Sequence, residues 1–519
     1  MLNIIVRLSK YLIVILMILF TYQCFSIFKK HGQEAREQVL HKQLVLTILL
    51  DIVTFGILFI QTFDIKYLIL VAQVIAYIIA IRILYRIFYK KGSFLLVNNM
   101  CMLLSIGFII LARLNFEQAE KQFLIVVIGS GISLLVPVVI RRVKLLRDLT
   151  WLYGIIGIIL LMAVLALSKV TGGANLSIEI GGITFQFSEL VKITFVFFMA
   201  GILRRDTSFK NVVITSVVAG LHVVILVLST DLGSALVFFV TYVVMVYVAT
   251  KKPLYALAGI GGGSLAAVAA YFLFGHVRQR VVAWKDPFSV YETNGYQIVQ
   301  SLFGICAGGW FGVGLLQGSP KSIPVVTQDF IFAAICEELG GIFAICLLLV
   351  CMSCFLMIVN ISMRMNRKFY KMIALGLGTE YAFQVFLTVG GTTKFIPMTG
   401  ITLPLVSYGG SSVICTIVMF AIIQGLYILR EDEGVEIERK RQEMIQEELQ
   451  EQLLQQESRR QETSGVGNSE KYQSQRPVNQ NTRYYHPEEA KIKKAGDEKR
   501  GEKSLEEKIE EETEKSLWW

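Results

Sequence analysis

Residues 66–91 read KYLILVAQVIAYIIAIRILYRIFYKK. Between Tyr67 and Ile81 the only strongly polar side chain is Gln73. A helix needs roughly 20 mainly apolar residues to cross a bilayer. A helix also satisfies its own backbone polar groups where no water can. The run at 66–89 meets that length, and it closes on Arg82, Arg86, Lys90 and Lys91. Positive clusters at the end of a span mark its cytoplasmic side. One stretch therefore suggests both a membrane-spanning helix and its direction.

The same unit repeats along the chain. Apolar runs lie near 11–28, 43–63, 97–113, 122–140, 150–169, 186–203, 211–229, 232–250, 253–274, 329–359, 372–391 and 403–429. With 66–89 they make about thirteen expected spans. The 329–359 run is longer than one crossing requires, so it is expected to tilt or to begin above the bilayer. The 519-residue chain is 54% hydrophobic with mean hydropathy +0.59. That apolar excess sits in 1–430, whereas 431–519 is strongly charged. The expected fold class is an all-α polytopic membrane protein with a cytoplasmic C-terminal tail.

The net charge of +10 does not point to nucleic acid, because the positive residues cluster at the ends of apolar runs. Alternate loops carry Lys29, Lys30, Arg36 and Lys42; Arg82, Arg86, Lys90 and Lys91; Arg141, Arg142, Lys144 and Arg147; Arg204, Arg205 and Lys210; Lys251 and Lys252; and Arg364, Arg367, Lys368 and Lys371. The intervening short loops hold few, such as Lys66, Arg113, Lys121 and Lys394. The first set and the tail are thus expected inside, and the N-terminus outside. Loops 171–185, 275–328 and 392–402 then face outward. Arg7 and Lys10 precede YLIVILMILF, as in a signal peptide, but TYQCFS offers no small-residue cleavage site, so the run is read as a helix.

The eight cysteines are Cys24, Cys101, Cys306, Cys336, Cys346, Cys351, Cys354 and Cys415. Most lie in apolar runs and behave as small hydrophobes. Cys351 and Cys354 have redox-pair spacing, but no second pair accompanies them, and helix packing is the better reading. In the tail, 435–462 reads as a short amphipathic or coiled-coil helix. From Ser464 onward the composition is that of disorder. GDEKRGEKS (496–504) has a misplaced Lys503 and no preceding strand, so it is solvated charge and not a phosphate loop.

Ionisable residues at membrane depth are costly and mark function or pairing. Glu189 and Lys192 in FQFSELVKITF share a helix face at i, i+3. They form either a structural ion pair or a substrate contact. Asp329 opens TQDFIFAAICEELGG at the expected outer surface. A carboxylate partly desolvated there gains proton affinity and can act as a proton acceptor. Glu337 and Glu338 are better read as polar packing. The long outer loop carries Arg278, Arg280 and Lys285 beside Trp284, a mix suited to an anionic headgroup such as a diphosphate. Gly304, Gly308, Gly309, Gly312 and Gly314 permit close backbone approach, as a re-entrant segment or an interfacial amphipathic element. Ser407, Ser411 and Ser412 in LPLVSYGGSS allow tight packing or a hydroxyl-lined cavity.

Six ordered segments carry a family resemblance: GGANLSIEIGGITFQFSELVK, STDLGSAL, RQRVVAWKDPF, GYQIVQSLFGICAGGWFGVGL, QDFIFAAICEELG and IPMTGITLPLVSYGGSS. Together they resemble the shape, elongation, division and sporulation (SEDS) family of bacterial peptidoglycan glycosyltransferases. The resemblance implies a ten-helix core at 97–430 with outer loop 275–328, about three extra helices at 1–96, and a tail at 431–519. It implies lipid II as substrate, a disaccharide-peptide on undecaprenyl diphosphate. The growing glycan would pass from its diphosphate carrier to the 4-hydroxyl of an incoming lipid II with inversion. Asp329 matches the family's catalytic aspartate, with general base as the implied role. Glu189, Lys192, Arg278, Gln297, Lys394 and Ser407 are the candidate substrate contacts; among them Lys192, Arg278 and Lys394 would stabilise the leaving diphosphate. A divalent cation, Mg2+ or Mn2+, could share that task, although no ligand set stands out and no metal site is assigned. The implied partners are a class B monofunctional penicillin-binding protein and proteins of the division or elongation complex.

The chain also departs from the family pattern. Leu176 and Ser177 replace an Arg-Trp pair, Phe187 a Pro, Val325 and Thr327 a Glu and a His, and Thr388 an Asn. Two other functions fit the same helices: a flippase for lipid-linked precursors, and a non-catalytic scaffold of the division machinery acting through the tail.

Overall fold

The structure is a computed structural model that describes residues 2–30, 32–167, 178–180 and 183–469. Leu176, Ser177, most of loop 171–185, the 496–504 segment and the rest of the tail beyond 469 lie outside the described residues. Seventeen α-helices are described: α1 Leu2–Ser26, α2 Gln33–Thr62, α3 Lys66–Phe88, α4 Phe94–Leu114, α5 Phe116–Ser133, α6 Val136–Arg142, α7 Thr150–Leu167, α8 Phe187–Leu203, α9 Phe209–Leu228, α10 Leu232–Thr250, α11 Pro253–Leu273, α12 Gly275–Lys285, α13 Tyr296–Gly308, α14 Ile331–Leu339, α15 Gly341–Arg364, α16 Lys368–Thr392 and α17 Gly410–Ser469. The one described sheet is a hairpin, β1 Ile178–Ile180 antiparallel to β2 Ile183–Phe185, with Ile178 opposite Phe185.

Eleven helical segments are long and apolar enough to cross a membrane, counting 116–142 as one. The remaining two expected runs form α7 and α8, of 18 and 17 residues, about 27 and 25 Å at 1.5 Å per residue. Within 116–142 the chain breaks after Ser133, and α6 restarts with Pro137 in its first turn, where the missing N–H is no loss.

The expected single run at 329–359 is not one helix. Gly340, at φ +90°, separates α14 from α15. The 24 residues of α15 reach about 36 Å and suffice for a crossing of roughly 30 Å. The α14 helix belongs instead with the outer-loop elements. Loop 275–328 is likewise not irregular, since it holds α12 and α13. The last run begins its helix only at Gly410, because 403–409 folds into turns.

Chain contacts divide the protein into Met1–Glu438 and Arg439–Trp519. In the first body α4 is the hub, buried at almost every position from Leu95 to Leu114. It packs against α2, α3, α5, α14 and α15, and α1 packs on α2 and α15. A hydrogen-bonded chain ties the first three helices to this core. Arg82 Nη1 donates to Asn98 Oδ1 at 2.7 Å, Asn98 Nδ2 to Gln43 Oε1 at 3.0 Å, and Gln43 Nε2 to Cys24 Sγ at 3.4 Å. Cys24 Sγ donates to Asn99 Oδ1 at 3.2 Å, and Asn99 Nδ2 to Ser353 Oγ at 3.1 Å. Between helices such contacts fix which faces meet. In the second body the described residues continue α17, whose apolar side chains, from Met444 to Leu454, are exposed.

Candidate active site

Asp329 sits in the turn before α14, and two neighbouring segments, 403–409 and the end of α16, fix that turn by its carbonyls. Tyr408 N donates to Thr327 O at 2.8 Å. Ser407 Oγ donates to Gln328 O at 2.5 Å, and Thr392 Oγ1 to Asp329 O at 3.3 Å. Ser407 Oγ also accepts from Leu403 N at 2.9 Å, and Ser301 Oγ of α13 donates to Thr392 O at 2.8 Å. With its backbone committed, the aspartate side chain is held in place while only half-buried.

Arg280 of α12 lies beside it. Its Nη1 donates to Thr399 O at 2.9 Å and Met398 O at 3.3 Å. A Cβ built on Gly400 would stand 3.8 Å from Asp329 Oδ2 and 3.9 Å from Arg280 Nη2, so both side chains converge on this glycine, whose φ is +77°. Asp231 caps the N-terminus of α10, where Oδ1 accepts from Ser234 N at 3.0 Å. Asp231 Oδ2 accepts from Ser188 Oγ at 3.1 Å and Gln186 Nε2 at 3.3 Å. Loss of hydration pushes Asp329 up to about 6; Arg280 pulls it back down, and the charge of Asp231 pushes it further up. Burial in turn lowers the proton affinity of Arg280, against the pull of both aspartates. A carboxylate poised near 6 is mostly ionised at neutral pH yet accepts a proton more readily than an ordinary aspartate.

The other expected contacts are spread around this centre. Glu189 and Lys192 pair at 2.8 Å, with both side chains 7% exposed. Lys192 Nζ donates to Gln384 Oε1 at 2.7 Å, and Gln384 Nε2 to Thr402 O at 3.1 Å, two residues from Gly400. Thr388 donates to Ile401 O at 3.0 Å. Lys394, at φ +60°, is half-buried, and its carbonyl accepts from Trp284 Nε1 at 3.1 Å. Gln297 is half-buried in the first turn of α13. Arg278 turns back toward α11, donating to Phe272 O at 3.2 Å and lying 5.9 Å from the Tyr271 ring. Glu337 and Glu338 pack internally, the former on Ser319 N at 2.6 Å and the latter on Arg113 at 2.8 Å.

Asp231 was not among the site residues expected from sequence, and Arg280 was expected only as part of the positive charge for an anionic headgroup. The one available signal was the Asp before LGSAL in STDLGSAL, a helix-cap position. The place of Arg280 beside Asp329 had none, since it and Arg278 lie about 200° apart on one helix and either could have faced the site. Among the described residues no group of three or more His, Cys, Asp or Glu side chains could hold a metal ion. Asp329 and Asp231 with Arg280 beside them do not make a cation site.

Residues 91–431 match a family profile described as cell cycle protein, that of FtsW, RodA and SpoVE. The chain belongs to this family. "Peptidoglycan glycosyltransferase RodA" of Mycobacterium tuberculosis is 31% identical over 365 residues, covering 63% of this chain and 76% of that protein. "Probable peptidoglycan glycosyltransferase FtsW" of Saccharophagus degradans is 30% identical over 365 residues, covering 64% and 92%. A solved chain titled "Structural coordination of polymerization and crosslinking by a peptidoglycan synthase complex" aligns with TM-score 0.56 at 23% identity, covering 66% of this chain and 98% of that one. That likeness shows the SEDS fold. Helices α1 to α3 precede the matched region, so the site lies wholly within the SEDS core.

Proposed function

We propose that this SEDS protein is a peptidoglycan glycosyltransferase that polymerises lipid II on the outer face of a bacterial cytoplasmic membrane, with Asp329 as general base. The observation that carries the assignment to Asp329 is its clamped turn, with Arg280 beside a carboxylate of raised proton affinity.

The chemistry follows from that arrangement. Asp329 accepts the proton of the acceptor 4-hydroxyl as that oxygen bonds to the anomeric carbon of the donor. The anomeric C–O bond breaks, and its electron pair leaves with the diphosphate. Attack from the opposite face inverts the centre in one step, and no covalent enzyme intermediate is needed. Arg280 sets the affinity of Asp329 and offers its remaining N–H groups to the polar head of the substrate. Lys192, Arg278 and Lys394 remain the candidates for the leaving diphosphate, with Glu189, Gln297 and Ser407 as further substrate contacts. The partner is a class B penicillin-binding protein, whose crosslinking would follow polymerisation; the complex named in the solved relative's title supports this. The charge pattern supports an outer N-terminus and a cytoplasmic tail.

The test is glycan-ladder formation from labelled lipid II by the full chain with its penicillin-binding protein. Asp329→Asn should lower the rate by about 10²–10⁴-fold without unfolding the protein. Full-rate ladders from Asp329→Asn would remove Asp329 from the mechanism. Absence of ladders from the native chain, with lipid II translocation in vesicles that survives the substitution, would favour a flippase. Neither activity, with a division phenotype on deleting 431–519, would favour a scaffold.

A further inference from the structure

We propose that helices α1 and α2, which precede the matched family region, are a built-in brace for the outer turn that locates Asp329, with Lys10 and Gln61 as positioning residues. This rests on the glycosyltransferase reading of the Asp329 site.

The turn 309–317 follows α13, and its glycines Gly309, Gly312 and Gly314 have φ of +53°, +75° and +110°. Glycine loses the most conformational freedom on ordering, so a turn built on three of them needs outside restraint. Part of that restraint is α14: Val313 N donates to Glu337 O at 2.9 Å and Gly314 N to Glu338 O at 3.0 Å. The approach is close, because a Cβ on Gly312 would stand 2.2 Å from Glu338 O.

The start of α15 adds Gly341 N donating to Gly309 O at 2.9 Å and Ile342 N to Trp310 O at 3.1 Å, and α1 and α2 add side-chain contacts. Lys10 Nζ donates to Gly312 O at 3.0 Å, a charge-assisted bond. The Tyr11 ring meets Phe311 at 5.3 Å. Gln61 Nε2 donates to Leu315 O at 3.1 Å, and Gln61 Oε1 accepts from Gln317 Nε2 at 3.4 Å. The brace is itself anchored, since the Arg82-to-Ser353 hydrogen-bonded chain holds α1 to α3 on α4 and α15. The turn grips the C-terminal end of α14, and Asp329 stands at the other end of that nine-residue helix. A shift of the turn would pull on α14 and so on the Asp329 turn, which Ser407 and Thr392 hold from its other side.

The experiment uses the full chain in nanodiscs with two readouts: hydrogen exchange at Val313 and Gly314, and kcat and KM for lipid II. Lys10→Met with Gln61→Leu should speed exchange at both amides about tenfold, roughly the loss of one hydrogen bond. The same variant should lower kcat about tenfold, the scale of a misplaced catalytic group, while KM stays near native. Lys10→Arg should restore both. Unchanged exchange at 313 and 314 overturns the brace. So does faster exchange with native kcat, or a rise in KM alone. If the native chain makes no polymer, the glycosyltransferase reading falls, and the exchange data alone judge the brace.

Discussion

At the scale of single residues, the reactivity of Asp329 is set by two neighbours of opposite sign. Burial raises its proton affinity, Arg280 lowers it and Asp231 raises it. A base must be ionised to act, so polymerisation should rise with pH through about 6 and level off above it. Removing the guanidinium in Arg280→Met should move that acid limb to higher pH. Removing a negative charge in Asp231→Asn should move it lower. Rate–pH profiles check both, and shifts of the same sign would contradict the assignment. The Asp329 motif was visible in the sequence. Its pairing with Arg280 and Asp231 was not, because these lie 49 and 98 positions away and nothing local shows which faces meet.

At the scale of elements, the site depends on turns and short helices more than on spans. Ser407 is 1% exposed, accepts from the buried Leu403 N and donates to Gln328 O, so Ser407→Ala should cost about 1–2 kcal/mol for the orphaned Leu403 N–H and depress polymerisation, read by thermal unfolding and ladder assay together. Gly340 has φ +90°, and a Cβ there would stand 2.3 Å from Gly312 N. Gly340→Ala should therefore destabilise by roughly 1–3 kcal/mol or more. The buried Glu189–Lys192 pair gives a third case. Lys192→Met should cost about 3–5 kcal/mol, while the double change with Glu189→Gln should recover much of it, because an unpaired buried charge costs more than a lost pair. The apolar run 329–359 hid the break at Gly340, since hydropathy averages over a glycine and only the backbone dihedral exposes it.

At the scale of the whole molecule, Lys10, Gln61, Arg113 and the turn 312–318 meet at one face of the bundle. The N-terminal end of α1, the C-terminal end of α2 and the Asp329 loop thus share a side. The positive-inside pattern supports the proposal that this side is external. In a Cys306→Ser background, Lys321→Cys should then react with an impermeant thiol reagent added to intact cells, and Arg367→Cys should not. The reverse labelling would invert the topology and remove the site from its substrate.

Hydropathy and charge were legible residue by residue, because each span needs only its own apolar run and its own flanking cations. Those local properties determined the membrane-spanning class, the approximate spans and the candidate base. Only the tertiary structure decided that Arg280 and not Arg278 stands beside Asp329, that Asp231 reaches the same centre, and that α1 and α2 grip the outer turn. These are meetings between segments far apart in the chain, set by helix rotation and packing, and a linear pattern does not encode which faces come together.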